Sequence, residues 1–257
     1  MLTSSVGDTA SGFGAKVAAT PSWIVATQPD APVDARGRVG ALTVASLTIG
    51  GPSPQFVPHP TPESGERFAT SIAIFGNDIV VTETSCADSD ACPNRARVHL
   101  LNAELNEPWT TFDLPATQRV PEGAFIDESI DVSANWIAVG LPNEDRCGEE
   151  EPSCPQAGLV HLVERTDNGP VRRQTLEAPS LLPGLLFGFD VALSDDTLLV
   201  GAPGSATTFV YRHKDDPQFP DEPWVLEETW NPAGTSSEFG YAVALDGSRA
   251  VVGAPKE

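Results

Sequence analysis

FGFDVALSDDTLLVGAP (residues 187–203) and FGYAVALDGSRAVVGAP (residues 239–255) align without a gap and agree at nine of their seventeen positions. Three further windows fall into the same frame: FGAKVAATPSWIVATQP from Phe13, FATSIAIFGNDIVVTET from Phe68 and IDESIDVSANWIAVGLP from Ile126. The starts lie 55, 58, 61 and 52 residues apart, a period that marks a chain built from one repeated supersecondary unit.

Each window reads as two short strands joined by a tight turn. In the first strand Val17, Ile72, Ile130, Val191 and Val243 share a column. Ala19, Ile74, Val132, Leu193 and Leu245 share the column two residues on, so both columns face one way. The column between them holds Ala18, Ala73, Ala192 and Ala244, with Asp131 breaking it in the third copy. The second strand is apolar on both faces, as in Ile79-Val80-Val81 and Leu198-Leu199-Val200, which predicts burial on both sides. Gly-Ala-Pro or a decayed version follows. Proline has no N–H to donate and ends the pairing, and glycine permits the bend.

A third strand is predicted at residues 40–47, 96–101, 159–163 and 208–212, and a fourth near 109–114, 171–176 and 224–228. Period-3.6 windows are lacking, and 24 Pro with 22 Gly suit a turn-rich β protein. Four antiparallel strands in roughly 55 residues make one propeller blade. The expected fold is therefore all-β: a β-propeller of four-stranded antiparallel blades, about five repeats over one region, 1–257. The fifth repeat lacks a third and fourth strand, so a fragment or open arc of a larger propeller is expected rather than a closed five-bladed ring.

Phe-Gly, Val-Ala-Leu and Val-Gly-Ala-Pro, repeated, resemble the FG-GAP family, the repeat of integrin α-subunit propellers and of many bacterial secreted proteins. The residues that carry the resemblance are Phe13, Phe68, Phe187, Gly188, Gly201, Ala202, Pro203, Phe239, Gly240, Gly253, Ala254 and Pro255. The family's Gly-x-Val-Tyr-Val-Phe is similar to residues 158–163, GLVHLV, and its fourth-strand Trp to Trp109 and Trp224. Integrin-like copies carry a calcium loop between the first two strands. Here that link is about four residues, as in Ser194-Asp195-Asp196-Thr197, too short to supply six to eight oxygens. The resemblance is thus to the short-turn bacterial type, and the family's calcium sites are not carried over.

Fifteen Lys+Arg against 36 Asp+Glu give a net charge of −21, a field that repels nucleic acid and anionic membranes. No apolar run is long enough to span a membrane. The start, MLTSSVGDTASGFG, has no basic region followed by an apolar one, so no signal peptide is read there.

Cys86/Cys92 and Cys147/Cys154 lie in the loops after the second strand, CADSDAC and CGEEEPSC. Pairing within each loop predicts two small disulfides, each constraining the unfolded chain by about 2 kcal/mol, and an oxidising compartment. A four-Cys zinc site is the less favoured alternative, since the spacings exceed those of zinc knuckles. His99 and His161 share a third-strand column in which Tyr211 stands in the next repeat, and are read as packed structural residues. His59 and His213 have no partner in the sequence. The acidic residues Asp30, Asp34, Asp88, Asp90, Glu144, Asp145 and 149–151 are read as a solvated rim. Trp23 and Trp136 share a column; rim packing is preferred over stacking on a sugar.

No nucleophile elbow, zinc-protease helix, phosphate loop or dinucleotide fingerprint is present. Lys16, Ser71, Asp131 and Asp190 are the main polar exceptions on the first strands. We expect no cofactor and no metal site. The expected function, implied by the resemblance, is a non-catalytic extracellular, cell-surface or periplasmic module for protein or glycan binding or adhesion. An accessory propeller domain of a larger secreted hydrolase is the alternative. The expected binding face carries the loops after Thr84, Pro142 and Pro203.

Overall fold

The computed structural model describes residues 12–34, 37–38, 40–51, 53–59, 66–85, 95–105, 108–114, 129–145, 155–215, 222–232 and 238–255. The chain divides into two compact units, Met1–Ala124 and Phe125–Glu257.

In the first unit, strands β1 (Val17–Ala19) and β2 (Trp23–Gln28) form the first hairpin. A small ribbon, β3 (Pro32–Asp34) and β4 (Gly37–Arg38), then precedes β5 (Ala41–Ser46) and β6 (Gln55–Pro58). The second blade is β7 (Glu66–Phe75), β8 (Asp78–Ser85), β9 (Arg95–Asn102) and β10 (Thr110–Leu114). The second unit holds β11 (Ser129–Val132), β12 (Trp136–Leu141), β13 (Leu159–Thr166) and β14 (Gly169–Leu176). It continues with β15 (Val191–Leu193), β16 (Thr197–Ala202), β17 (Thr207–His213) and β18 (Trp224–Trp230), then a hairpin, β19 (Ala242–Asp246) and β20 (Arg249–Gly253). Pairing is antiparallel and sequential in every four-stranded sheet: β1-β2-β5-β6, β7-β8-β9-β10, β11-β12-β13-β14 and β15-β16-β17-β18. All predicted strands are present. The β3–β4 ribbon and β6 were not read from the sequence; both lie in Pro/Gly-rich stretches without period-2 alternation.

Alternation decides which interface each side chain joins. Leu198 and Val200 enter a core with Ala138, Val160, Leu162, Phe187 and Phe209. Leu199, between them, enters a second core with Ala192, Val210 and Val243. One strand thus feeds the gaps on both sides of its blade, so β16 is buried along its whole length. The equivalent core of the first unit gathers Val25, Leu42, Phe68, Ile72, Ile79 and Val81. Each fully buried Leu or Phe of this kind contributes about 2–3 kcal/mol.

The repeat motif has a steric cause. Gly188 and Gly240 adopt φ +86° and +89°, and Ala69 adopts φ +62° in the same column. A Cβ at Gly140 or Gly201 would overlap the carbonyl oxygen of Gly188 or Gly240, respectively, in the next blade. The glycine after each Phe and the glycine of Gly-Ala-Pro therefore let consecutive blades meet backbone to backbone. In the first two blades Thr27 and Thr82 replace the second glycine. Their hydroxyls accept from the N–H of Lys16 and Ser71, both at 3.0 Å.

Candidate functional site

Phe68 and Phe187 are fully buried; Phe13 and Phe239 are half-buried. Gly201, Ala202 and Pro203 close β16 in the core, whereas Gly253 and Ala254 are half-buried and Pro255 exposed. Cys86, Cys92, Cys147 and Cys154, and Asp88, Asp90 and residues 149–151, lie outside the described residues. So do most of the loops after Thr84 and Pro142. The connection after Pro203 is short: one 3-10 turn, Pro203–Ser205, ending at Ala206 with φ 51°. Its proline and glycine fold it tightly, so it adds little loop to the expected binding face. Glu144 is buried at 7% exposure rather than rim-exposed, and Asp145 accepts the N–H of Gln156 at 2.9 Å.

Two of the polar first-strand residues join blades. Asp131 accepts the N–H of Val132 at 2.8 Å and that of Leu193, in the next blade, at 2.7 Å. Asp190 accepts the N–H of Val243, again in the next blade, at 2.7 Å. Burial pushes the Asp131 carboxyl above its ordinary 3.8, although the two N–H donors favour its ionised form. Trp136 packs at 5.6 Å from Trp224 and 5.2 Å from His213, and the Trp23 indole N–H donates to Asn77 at 3.0 Å. Both tryptophans are buried rim residues.

The strand register corrects one alignment. Val81 faces His99, Val139 faces His161 and Val200 faces Phe209. Phe209, not Tyr211, stands in the histidine column. The third strand of that blade starts from Ala206 where those of the first and third blades start from Gly40 and Gly158, so the sequence lacks the glycine that anchors the frame there. His99 and His161 are both buried, and each Nδ1 lies 2.9 Å from the hydroxyl of the threonine opposite, Thr111 and Thr175.

In the second blade these columns converge on a charged cluster. Glu83 Oε2 lies 2.7 Å from Nε2 of His59 and 2.7 Å from Nε2 of His99. Its Oε1 accepts from Arg97 Nη1 at 3.1 Å, and Arg97 Nε donates to Asp113 at 3.1 Å. Phe68 and Trp109 close the cluster, with ring centroids 5.4 Å and 5.9 Å from His99. Burial by itself raises the Glu83 pKa; the hydrogen bonds and charge of His59 and His99 overturn that and hold the carboxyl well below the usual carboxylate range. An ionised carboxylate only accepts, so both Nε2 atoms donate to it, and Nδ1 of His99 faces the Thr111 hydroxyl, which can donate or accept.

Sequence reasoning missed Glu83 and left His59 without a partner. One signal was available: Glu83 occupies the alanine column of Gly-Ala-Pro, where an acid is out of place.

A groove of about 390 Å³ lies between the two blades of the first unit, lined by Trp23, Val44, Ser46, Gln55, Glu104 and Leu105 among others. Leu47 and Ile49, in the β5–β6 link beside it, are 53% and 103% exposed. The groove is at the strand ends opposite those that carry the loop after Thr84, since Trp23 pairs with Ser46 at the far end of the sheet.

No family model matches the sequence, and no curated protein matches it. Among solved structures, the nidogen/laminin complex aligns over 93% of this chain and 70% of that chain, with 10% identity and a TM-score of 0.50. The chain has the β-propeller fold. Hydrazine synthase of Kuenenia stuttgartiensis aligns over 93% of this chain and 82% of that one, with 10% identity and a TM-score of 0.47. Apo AztD from Citrobacter koseri aligns over 91% and 54%, with 12% identity and a TM-score of 0.46. Among the described residues no helix is long and apolar enough to cross a membrane.

Proposed function

We propose that this propeller is a non-catalytic binding module of the FG-GAP kind that works outside the cell or at its surface and takes a protein or glycan partner. The groove of about 390 Å³ between the first two blades carries the reading. Its volume is in the range of ligand sites, and hydroxyl, carboxamide and carboxylate groups of Ser46, Thr48, Gln55 and Glu104 surround an apolar floor. Exposed Leu47 and Ile49 add apolar area beside it. The net charge of −21 favours a neutral or basic partner over nucleic acid. The repeat motif supports the FG-GAP kinship through its steric role at the blade contacts.

The test is a combined glycan and protein array probed with the purified chain and with the double variant Gln55→Ala/Glu104→Ala. Both side chains are exposed, so the variant keeps the fold. The expected result is a defined ligand class bound by the wild type and lost in the variant. Binding that is untouched by the variant, or hydrolysis of any arrayed ligand, defeats the proposal.

A further inference from the structure

We propose that His59, Glu83 and His99 form a binding site for a divalent metal of the zinc class, which pins the outer strand of the first blade to the second blade. The three ligand atoms lie within 4.8 Å of one another. The side chains of His59 and Glu83 are 0% exposed and that of His99 is 2% exposed. Two imidazole nitrogens and a carboxylate oxygen are a borderline donor set that suits zinc, and three protein ligands leave one position of a tetrahedral shell for water.

The fold does not require this chemistry. The column of Glu83 holds Gln28, Leu141 and Ala202 in the other four-stranded blades, and the column of His99 holds Thr43, His161 and Phe209. In the first blade the same two columns are joined by one neutral hydrogen bond, Gln28 Nε2–H to Thr43 Oγ1 at 2.7 Å. Only the second blade puts an acid there, and His59 reaches the same oxygen from the residue after β6, on the neighbouring blade.

The surrounding groups are arranged as metal ligands need. Arg97 holds Oε1 of Glu83, leaving Oε2 toward both imidazoles. Thr111 holds Nδ1 of His99 at 2.9 Å. A hydroxyl both donates and accepts. With a metal on Nε2, a neutral His99 carries its single proton on Nδ1, and Thr111 accepts it without the ring having to turn. Donors on one tetrahedral zinc are about 3.3 Å apart. The two Oε2–Nε2 separations of 2.7 Å therefore need to open by about 0.6 Å, and the two Nε2 atoms, which lie within 4.8 Å of each other, need to close by at most about 1.5 Å.

The experiment is titration of the chelator-treated, dialysed chain with zinc chloride, followed calorimetrically and by elemental analysis, and repeated with cobalt(II) for its absorption spectrum. We expect one zinc per chain, a raised Tm on loading, reversal by EDTA, and a cobalt spectrum without thiolate charge-transfer bands. Affinity falls at least 100-fold in His59→Ala and in Glu83→Gln and is unchanged in His161→Ala, a histidine of the same column in another blade. Glu83→Gln guards against misfolding, since glutamine already fills that column as Gln28. Replacing all four cysteines by serine leaves binding intact. Failure of the wild type to bind zinc overturns the proposal. So does binding that survives in folded Glu83→Gln, or that disappears with the cysteines.

Discussion

Gly140→Ala tests the steric basis of the repeat. The added methyl lies 2.5 Å from Ser129 Oγ and 2.9 Å from the Gly188 carbonyl carbon, and overlaps the Gly188 carbonyl oxygen. Carbon and carbonyl oxygen pack no closer than about 3.3 Å, so the two backbones must part by about 1 Å. Parting them strains two bonds that cross the same gap: Ser129 Oγ–H to Gly188 at 3.0 Å, and Leu193 N–H to Asp131 at 2.7 Å. Overpacking costs about 1–3 kcal/mol and each of the two weakened hydrogen bonds about 0.5 kcal/mol, half its full worth, so we expect a loss of about 2–4 kcal/mol. In a domain of this size that lowers Tm by roughly 5–15 °C. Gly247→Ala is the control within the same unit. Gly247 has φ +56°, and a methyl added there would meet nothing within 4 Å, so only the left-handed backbone penalty of about 1 kcal/mol applies. Thermal and urea unfolding, followed by circular dichroism and tryptophan fluorescence, measure both. If Gly140→Ala proves no more damaging than Gly247→Ala, the close-approach explanation of Gly-Ala-Pro is wrong.

Three further outcomes follow from the blade contacts. Gln174 donates to the Trp224 carbonyl and accepts its N–H, both at 2.9 Å, so Gln174→Ala costs about 2 kcal/mol in urea unfolding; a loss indistinguishable from zero removes the clamp. A carboxyl whose pKa is raised on folding contributes most stability below its ordinary value, 3.8 for Asp131, and less as pH rises through the folded-state value. The stability advantage of wild type over Asp131→Asn therefore shrinks from about pH 3 to pH 7 in denaturant titrations, and an advantage that grows over that range contradicts burial as the dominant cause. Ala206 holds φ 51° where Gly40 and Gly158 stand in the matching column; Ala206→Gly raises stability by about 0.5 kcal/mol, the left-handed penalty less the added entropy of the unfolded glycine, and a lowered Tm refutes the strain.

Apart from β6 and the β3–β4 ribbon, the sequence by itself determined the strands, their order within each blade and the direction each side chain faces. Period-2 alternation and the recurring Phe-Gly and Gly-Ala-Pro are local, and a strand's facing follows from its own residues, as the split of Leu198, Leu199 and Val200 between two cores shows. Where the anchor glycine is missing, before Thr207, the reading of the histidine column slipped by two residues. Tertiary structure alone decided what meets across a gap between blades. His59, Glu83 and His99 are separated by 24 and 16 residues in the chain and come from different columns, one of them from a strand without a pattern of its own. The lateral packing of one blade on the next brings them to a single carboxylate oxygen. In the first unit that packing rests on the close approach of Gly40, where a Cβ would overlap the Phe68 carbonyl oxygen, and in the second on glycine contacts and on N–H groups reaching Asp131 and Asp190, interactions whose partners no local pattern specifies.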